Sequence, residues 1–306
     1  MKIIYFGSAA IGFPTLEKLL ASEHELLAAV TQPDRPAGRR RRLTLCPVKQ
    51  FALDRKIPVL SPENAADAYT ELTALNADLF VVVAYGQYIP QSIRELPAHG
   101  AINLHPSLLP KYRGSSPIQW AIANGDTVTG VSIIYVAKKM DAGDVLLQKK
   151  YPIAPDDTAA TLEPRLAELG GDLMLQAISQ ICAGTNKPVP QDENSAVEVR
   201  KLSKEDGIIN WNLPAETIRN RIRAFQPWPG VSCELPNGER LKILCAAVES
   251  GSGAPGEIIN INSAGPLVAT GGNALRMLEV QPAGKKSMDA AAWLRGHTLS
   301  VGGRLR

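Results

Sequence analysis

Short apolar runs alternate with helical patterns along the first 180 residues. The runs Lys2–Phe6, Leu26–Thr31, Leu79–Tyr85, Ala101–His105, Gly130–Val136 and Val145–Tyr151 have the length and composition of strands. Between them the spacing predicts helices over Pro14–Ala21, Pro47–Lys56, Glu63–Leu75, Pro117–Asn124 and Ala159–Ala183. Strands that alternate with helices imply a mostly parallel sheet with helices packed on its faces. Leu79–Ala84 is apolar at every position, as expected of a central strand covered on both sides. The pattern leaves the direction of the last two strands open.

The texture changes after Gly184. Thr185–Val199 is polar, carries Pro188 and Pro190, and has no periodicity, so it reads as an exposed linker. One helical stretch, Ala215–Phe225, follows. Beyond it come five short runs punctuated by Gly and Pro: Gly230–Leu235, Leu241–Ala247, Gly256–Ile261, Gly265–Ala269 and Ala274–Val280. That pattern predicts a small β-barrel. The expected division is a sheet domain over 1–184, a linker over 185–203 and a barrel over 204–306.

Charge adds one feature to this picture. Residues 1–200 carry 20 Lys and Arg against 21 Asp and Glu, and residues 201–306 carry 13 against 9. The near-neutral first part contains one dense basic stretch, Arg39–Arg42. A basic second part with one basic loop points to a polyanionic partner, although small positive excesses are common in proteins without one. Cys46, Cys182, Cys233 and Cys245 have no C-x-x-C pairing and no His at metal-ligand spacing, so neither zinc nor a disulfide framework is expected. No apolar run reaches membrane-spanning length, and the opening residues read as a buried strand rather than a secretory signal. The cytoplasm is the expected location.

In an open α/β sheet, ligands bind beyond the carboxyl ends of the strands. The first such turn, Gly7–Gly12, is not G-x-G-x-x-G, and no acidic residue closes the second strand to bind a ribose. The Asn103-Leu104-His105-Pro106 run is chemically richer. Strand alternation puts Asn103 and His105 on one face, an uncharged donor beside a titratable ring. Asp141 follows a later strand; a carboxylate beside the imidazole would fix its tautomer and favour its charged form. The residues alone also fit a blander account, a hydrogen-bonded buried histidine and a turn aspartate.

The run Ala101–Trp120 resembles the core motif of the folate-dependent formyltransferases, an Asn-x-His-x-Ser-Leu-Leu-Pro segment followed downstream by Asp-x-Gly. Four further segments, Thr31–Arg39, Lys201–Trp211, Arg223–Gly230 and Leu278–Lys286, are similar to the branch of that family that acts on methionyl-tRNA. The resemblance runs from about residue 3 to residue 296. The Gly7-Ser8-Ala9-Ala10 loop departs from the family's usual Gly-Thr-Pro.

The resemblance implies a Rossmann-like catalytic domain and an OB-like carboxyl-terminal barrel. It implies a formyl donor, 10-formyltetrahydrofolate, and an acceptor, initiator methionyl-tRNA. No metal is expected from the cysteine spacing, and nothing in the sequence demands more than a monomer. The resemblance assigns catalysis to Asn103, His105 and Asp141. Folate contacts are implied at Ser107, Leu108, Leu109 and Pro110, and at a pocket near Val83, Tyr85, Gly86 and Tyr88. The basic residues Arg35, Arg39, Arg40, Arg41, Arg42, Lys204, Lys285 and Lys286 are expected to meet tRNA phosphates, with Arg219, Arg221, Arg223 and Lys242 as further candidates. Trp211 and Trp228 are expected to pack at the core or junction. A nucleotide-dependent oxidoreductase, a formyltransferase for a small-molecule acceptor and a noncatalytic RNA-binding protein fit the sequence less well.

Overall fold

The computed structural model describes residues 1–37, 42–297 and 299–306. The chain divides into two compact units, 1–114 with 129–152 and 163–198, and 115–128 with 153–162 and 199–306.

The first unit is built on a seven-stranded sheet. Its strands are β1 (Lys2–Gly7), β2 (Glu25–Val30), β3 (Val59–Leu60), β4 (Leu79–Val83), β5 (Ala101–His105), β6 (Val128–Tyr135) and β7 (Val145–Pro152). The spatial order is β7-β6-β5-β4-β1-β2-β3. β3, β2, β1, β4 and β5 run parallel, and β6 is antiparallel to β5. The parallel sheet is therefore present, and the direction the pattern left open is settled for β6. All five residues of β4 are buried. Ile4, Phe6, Phe80, Val82 and Tyr85 join Leu72 and Ile93 in one apolar cluster on a face of this sheet. Burying each such side chain contributes roughly 1.5–3 kcal/mol.

Helices α1 (Phe13–Leu20) and α2 (Pro47–Asp54) both open with proline in the first turn, where its missing N–H costs nothing. Helix α3 (Tyr69–Leu75) ends at Asn76 in the left-handed conformation, φ 46°, which returns the chain toward β4. The helix expected from Glu63 starts instead as a short 3-10 turn at Ala65–Ala68. There Asn64 and Asp67 cap each other's backbone N–H groups. The strand expected to reach Tyr85 stops at Val83, because Ala84 (φ 48°) and Gly86 (φ 81°) turn the chain at the sheet edge.

Thr185–Val199 has mostly exposed side chains, as expected, yet it is not a free tether. Val189 exchanges both backbone hydrogen bonds with Val145, and Val197 O accepts from Arg113 N. A segment without hydrophobic periodicity has docked through its backbone groups, which composition does not reveal.

The second unit contains helix α4 (Pro117–Ala123), the start of α5 (Ala159–Cys182), and α6 (Ala215–Ala224). The Trp120 ring meets Phe225 edge-on at 5.8 Å, and its indole N–H donates to Arg200 O. Its sheet consists of β8 (Val231–Glu234), β9 (Arg240–Glu249), β10 (Ile258–Asn262), β11 (Gly265–Ala269) and β12 (Ala274–Pro282). Their order is β8-β9-β12-β11-β10, antiparallel throughout. The chain's last residues join the two edges. Arg306 exchanges backbone hydrogen bonds with Glu234 at the end of β8, while Ile258 N donates to Gly303 O and Leu305 N to Gly256 O. The tail thus pairs with one end of each edge strand, at Glu234 of β8 and Ile258 of β10, and covers part of both edges. Among the described residues no helix is long and apolar enough to cross a membrane.

Candidate active site

The carboxyl ends of β1, β2 and β4 are tied together by side chains. Ser8 N donates to Ala84 O, and Ser8 Oγ donates to Tyr85 O while accepting from Gln32 N at 3.0 Å. Gln32 Nε2 donates to Tyr85 O at 3.1 Å. A Cβ on Gly86 would lie 2.4 Å from that nitrogen, so the turn accepts no larger residue without displacing Gln32. The Gly7-Ser8-Ala9-Ala10 loop therefore supports this edge through the hydroxyl of Ser8.

β5 carries the central residues. Asn103 lies between Val82 and Ile134 on the neighbouring strands and is half-buried. Its amide has no partner among the described residues. His105, on the same face, is 5% exposed. Its Nε2 lies 2.8 Å from Tyr112 O, and its Nδ1 lies 3.5 Å from Asp141 Oδ2. The ring is flanked by two acceptors, a carbonyl and a carboxylate. It can satisfy both only with a proton on each nitrogen.

Asp141 stands in a turn that follows β6, at φ 50°, and its Oδ2 also accepts from Gly114 N at 2.8 Å. A Cβ on Gly143 would fall 1.8 Å from Tyr135 O, so only glycine lets the loop press this closely on the strand. The Asp-x-Gly spacing thus has a physical reason.

The Ser107–Pro110 turn is held from below. Ser132 Oγ, fully buried on β6, donates to Ser107 O at 2.7 Å and accepts from Leu109 N and Gln148 Nε2. Gln148 Nε2 also donates to Leu109 O, and Ser107 Oγ donates to Lys111 O. Ser107 and Leu109 face inward, whereas Leu108 and Pro110 are partly exposed.

The remaining expected site residues divide by exposure. Val83 and Tyr85 turn their side chains into the core, where burial pushes the Tyr85 phenol up to about 12. Ala84, Gly86 and Tyr88 are exposed, so they are the part of this segment that a ligand can reach. Arg35 is exposed on a short strand, Arg35–Ala37, that pairs with Arg42–Thr44. Arg39, Arg40 and Arg41 lie outside the described residues, and Arg42 is described by its backbone alone.

In the second unit Lys204, Lys242, Lys285 and Lys286 are exposed. Arg219 instead pairs with Asp156 at 2.9 Å, and Arg223 donates to Asp157 O. Those two arginines are committed within the fold. Trp211 is buried as expected, but Trp228 is 49% exposed, set between two prolines in the turn after α6.

Sequence patterns do not single out Ser132, Gln148, Arg113 or Gln191. Arg113 is 1% exposed, with its Nε donating to Gln191 Oε1 and its Nη2 to Glu193 Oε1. Those hydrogen bonds from Arg113, and then from Lys139, hold the Glu193 carboxyl down at about 2. Ser132 leaves a signal, a lone polar residue in the apolar run Gly130–Val136; Gln191 leaves none.

Comparison with known proteins decides the family. Residues 1–178 match the formyl transferase family, and residues 201–298 match its formyl transferase C-terminal domain. The chain belongs to the formyl transferase family. It is 43% identical over 301 residues to the methionyl-tRNA formyltransferase of Chloroflexus aurantiacus, covering 97% of each chain. It is 42% identical to that of Hydrogenovibrio crunogenus, with 98% of each covered.

Among solved structures, an N-formyltransferase from Helicobacter canadensis in complex with folinic acid and dTDP-3-aminofucose shares the fold. Its TM-score is 0.67 at 19% identity, over 90% of this chain and 99% of that one. HypX from Aquifex aeolicus in complex with tetrahydrofolic acid gives a TM-score of 0.65 at 20% identity, over 96% of this chain. The match takes in 47% of HypX, about half its length.

Proposed function

We propose that this chain moves the formyl group of 10-formyltetrahydrofolate onto the amino group of methionine esterified to initiator tRNA, acting as a monomer in the cytoplasm. The observation that carries the reading is the match at 42–43% identity, end to end, to two methionyl-tRNA formyltransferases. The donor set of the site fits a formyl donor: an unpartnered amide beside a paired imidazole and carboxylate, next to the exposed turn at 84–88. The folate supplies an activated one-carbon acyl group.

In the transfer, a bond forms between the methionyl nitrogen and the formyl carbon, and the bond from that carbon to the folate nitrogen breaks. One proton leaves the amine and one reaches the folate nitrogen. Asn103 donates to the formyl oxygen as it gains negative charge. His105 and Asp141 are paired beside it at 3.5 Å, and Asp141 is assigned to take the amine proton. His105 gives its Nε2–H to Tyr112 O in this structure. Handing a proton to the folate nitrogen therefore requires the ring to exchange that carbonyl for substrate. Until it does, that N–H is committed to the carbonyl. Much of the remaining barrier is lowered by holding two substrates together.

Tyr88, Gly86, Leu108 and Pro110 are proposed to contact the folate, with Val83, Tyr85, Ser107 and Leu109 shaping the pocket from behind. Lys204, Lys285, Lys286 and the Arg35–Arg42 stretch are proposed to meet tRNA phosphates.

The test offers labelled 10-formyltetrahydrofolate with initiator methionyl-tRNA and with glycinamide ribonucleotide in parallel. Label is expected on the aminoacyl-tRNA and is expected to disappear in His105→Ala. Label on the small molecule alone would overturn the acceptor and the roles given to the basic residues.

A further inference from the structure

The polar segment after Gly184 reaches the site through one side chain. Gln191 Nε2 donates to Asp141 O at 2.8 Å and to Gly143 O at 2.7 Å, so both of its amide hydrogens hold the aspartate loop. Its Oε1 accepts from Arg113 Nε at 2.9 Å. Arg113 is buried, and its own backbone N–H is fixed on Val197 O. The next residue, Gly114, gives its N–H to Asp141 Oδ2. These hydrogen bonds form a closed loop: Gln191 grips the Asp141 backbone and Arg113, and the peptide after Arg113 grips the Asp141 carboxylate.

Asp141 needs that grip. Its φ of 50° lies in the left-handed region, which a non-glycine residue keeps only where its surroundings hold it. The carboxylate reaches His105 Nδ1 only while the peptide is turned this way. We infer that Gln191 is a positioning residue for Asp141, acting by clamping the carbonyls of Asp141 and Gly143. The segment whose composition reads as a linker is therefore one wall of the catalytic carboxylate's mount. The role in turnover rests on the function proposed above; the role in holding the loop does not.

The test compares full-length Gln191→Ala and Gln191→Glu with the parent chain. Glutamate keeps the shape and an acceptor for Arg113 but has no hydrogens for the two carbonyls, so it separates loop clamping from arginine pairing. In both variants kcat is expected to fall about 10–100-fold, the scale of a small misplacement of a catalytic group, with KM for the formyl donor within about threefold. Hydrogen exchange of the Gly114 amide is expected to quicken at least about tenfold, while amides within β1 and β4 keep their protection. A merely structural loss would loosen those strands too. Turnover within about threefold of the parent in both variants overturns the inference, as does unchanged protection at Gly114. If the parent chain transfers no formyl group, the proposed function fails, and the Gly114 readout still decides the clamp.

Discussion

Two stretches of the first unit carry its most conspicuous polar chemistry, and they are built in opposite ways. In the turn from His105 to Gly114, His105, Ser107 and Arg113 are between 0% and 5% exposed, and their partners come from three other segments. In the hairpin around Arg35–Arg42, Arg35, Pro36, Leu43 and Thr44 are at least partly open to solvent. The hairpin is tied to the body by the pair of Asp34 with Lys49 at 2.9 Å, the lysine standing in the first turn of α2. The difference fits the roles proposed for each. Stabilising charge that develops on one atom needs donors fixed to a fraction of an ångström, and a dry network of paired groups supplies that. Attraction to a phosphate backbone acts over about 8–10 Å in ordinary salt and needs no fixed side chain.

The buried side of this contrast breaks most sharply at Asn103. Asn103→Ala removes the amide assigned to the oxyanion, and because that amide has no partner among the described residues, nothing else is left unpaired. Rate constants for formyl transfer are expected to fall by about 10²–10³. Stability from urea unfolding should stay within about 0.5 kcal/mol of the parent's, as for substitutions that break no packed or paired feature. Near-normal turnover would remove Asn103 from the mechanism, and a large loss of stability would make it a core residue instead.

Ser132 sharpens the same side from behind. It touches no substrate in the proposed reaction, yet its hydroxyl serves Ser107 O, Leu109 N and Gln148 Nε2 at once. Ser132→Ala leaves buried groups of Ser107 and Leu109 unpaired, at a cost of about 1–3 kcal/mol. Urea unfolding should show that loss, together with roughly tenfold slower turnover as the 107–110 turn relaxes. Full stability with slow turnover would mean that Ser132 acts on the substrate directly.

Legibility follows the same divide. β5 is legible to the residue because four of its five positions are buried and Ala101, Ile102 and Leu104 mark it as a strand. Asn103, His105 and the Asp-x-Gly turn are readable because strand alternation and glycine sterics constrain them locally. Gln191 and Arg113 are not, since their roles arise where side chains 78 residues apart meet, and no periodicity encodes such a meeting. The pairing of Gly303–Arg306 with the edges of the second sheet is hidden too: a short tail pairs through its peptide groups, whatever its side chains. The expected end of β4 falls two residues too late because Ala84 and Tyr85 are as apolar as the strand, and the positive φ at Ala84 has no signature in residue type. The half-exposed Trp228 shows the limit from the other direction, an aromatic residue that composition sends inward and a proline-flanked turn holds out.

The exposed side of the contrast predicts the smallest change in chemistry and the cleanest change in salt dependence. Replacing Arg39–Arg42 with glutamine should leave kcat within about twofold, as the proposed separation of attraction from catalysis requires. Stability should move by less than about 0.5 kcal/mol. Binding to methionyl-tRNA should weaken, and the plot of log affinity against log salt should flatten by about 0.9 for each phosphate of a duplex stem that is no longer neutralised. A fall in kcat with the salt slope unchanged would assign the arginines to the reacting centre and dissolve the division between the two stretches. A flattened slope at constant kcat would show that the chain keeps attraction and catalysis on separate elements.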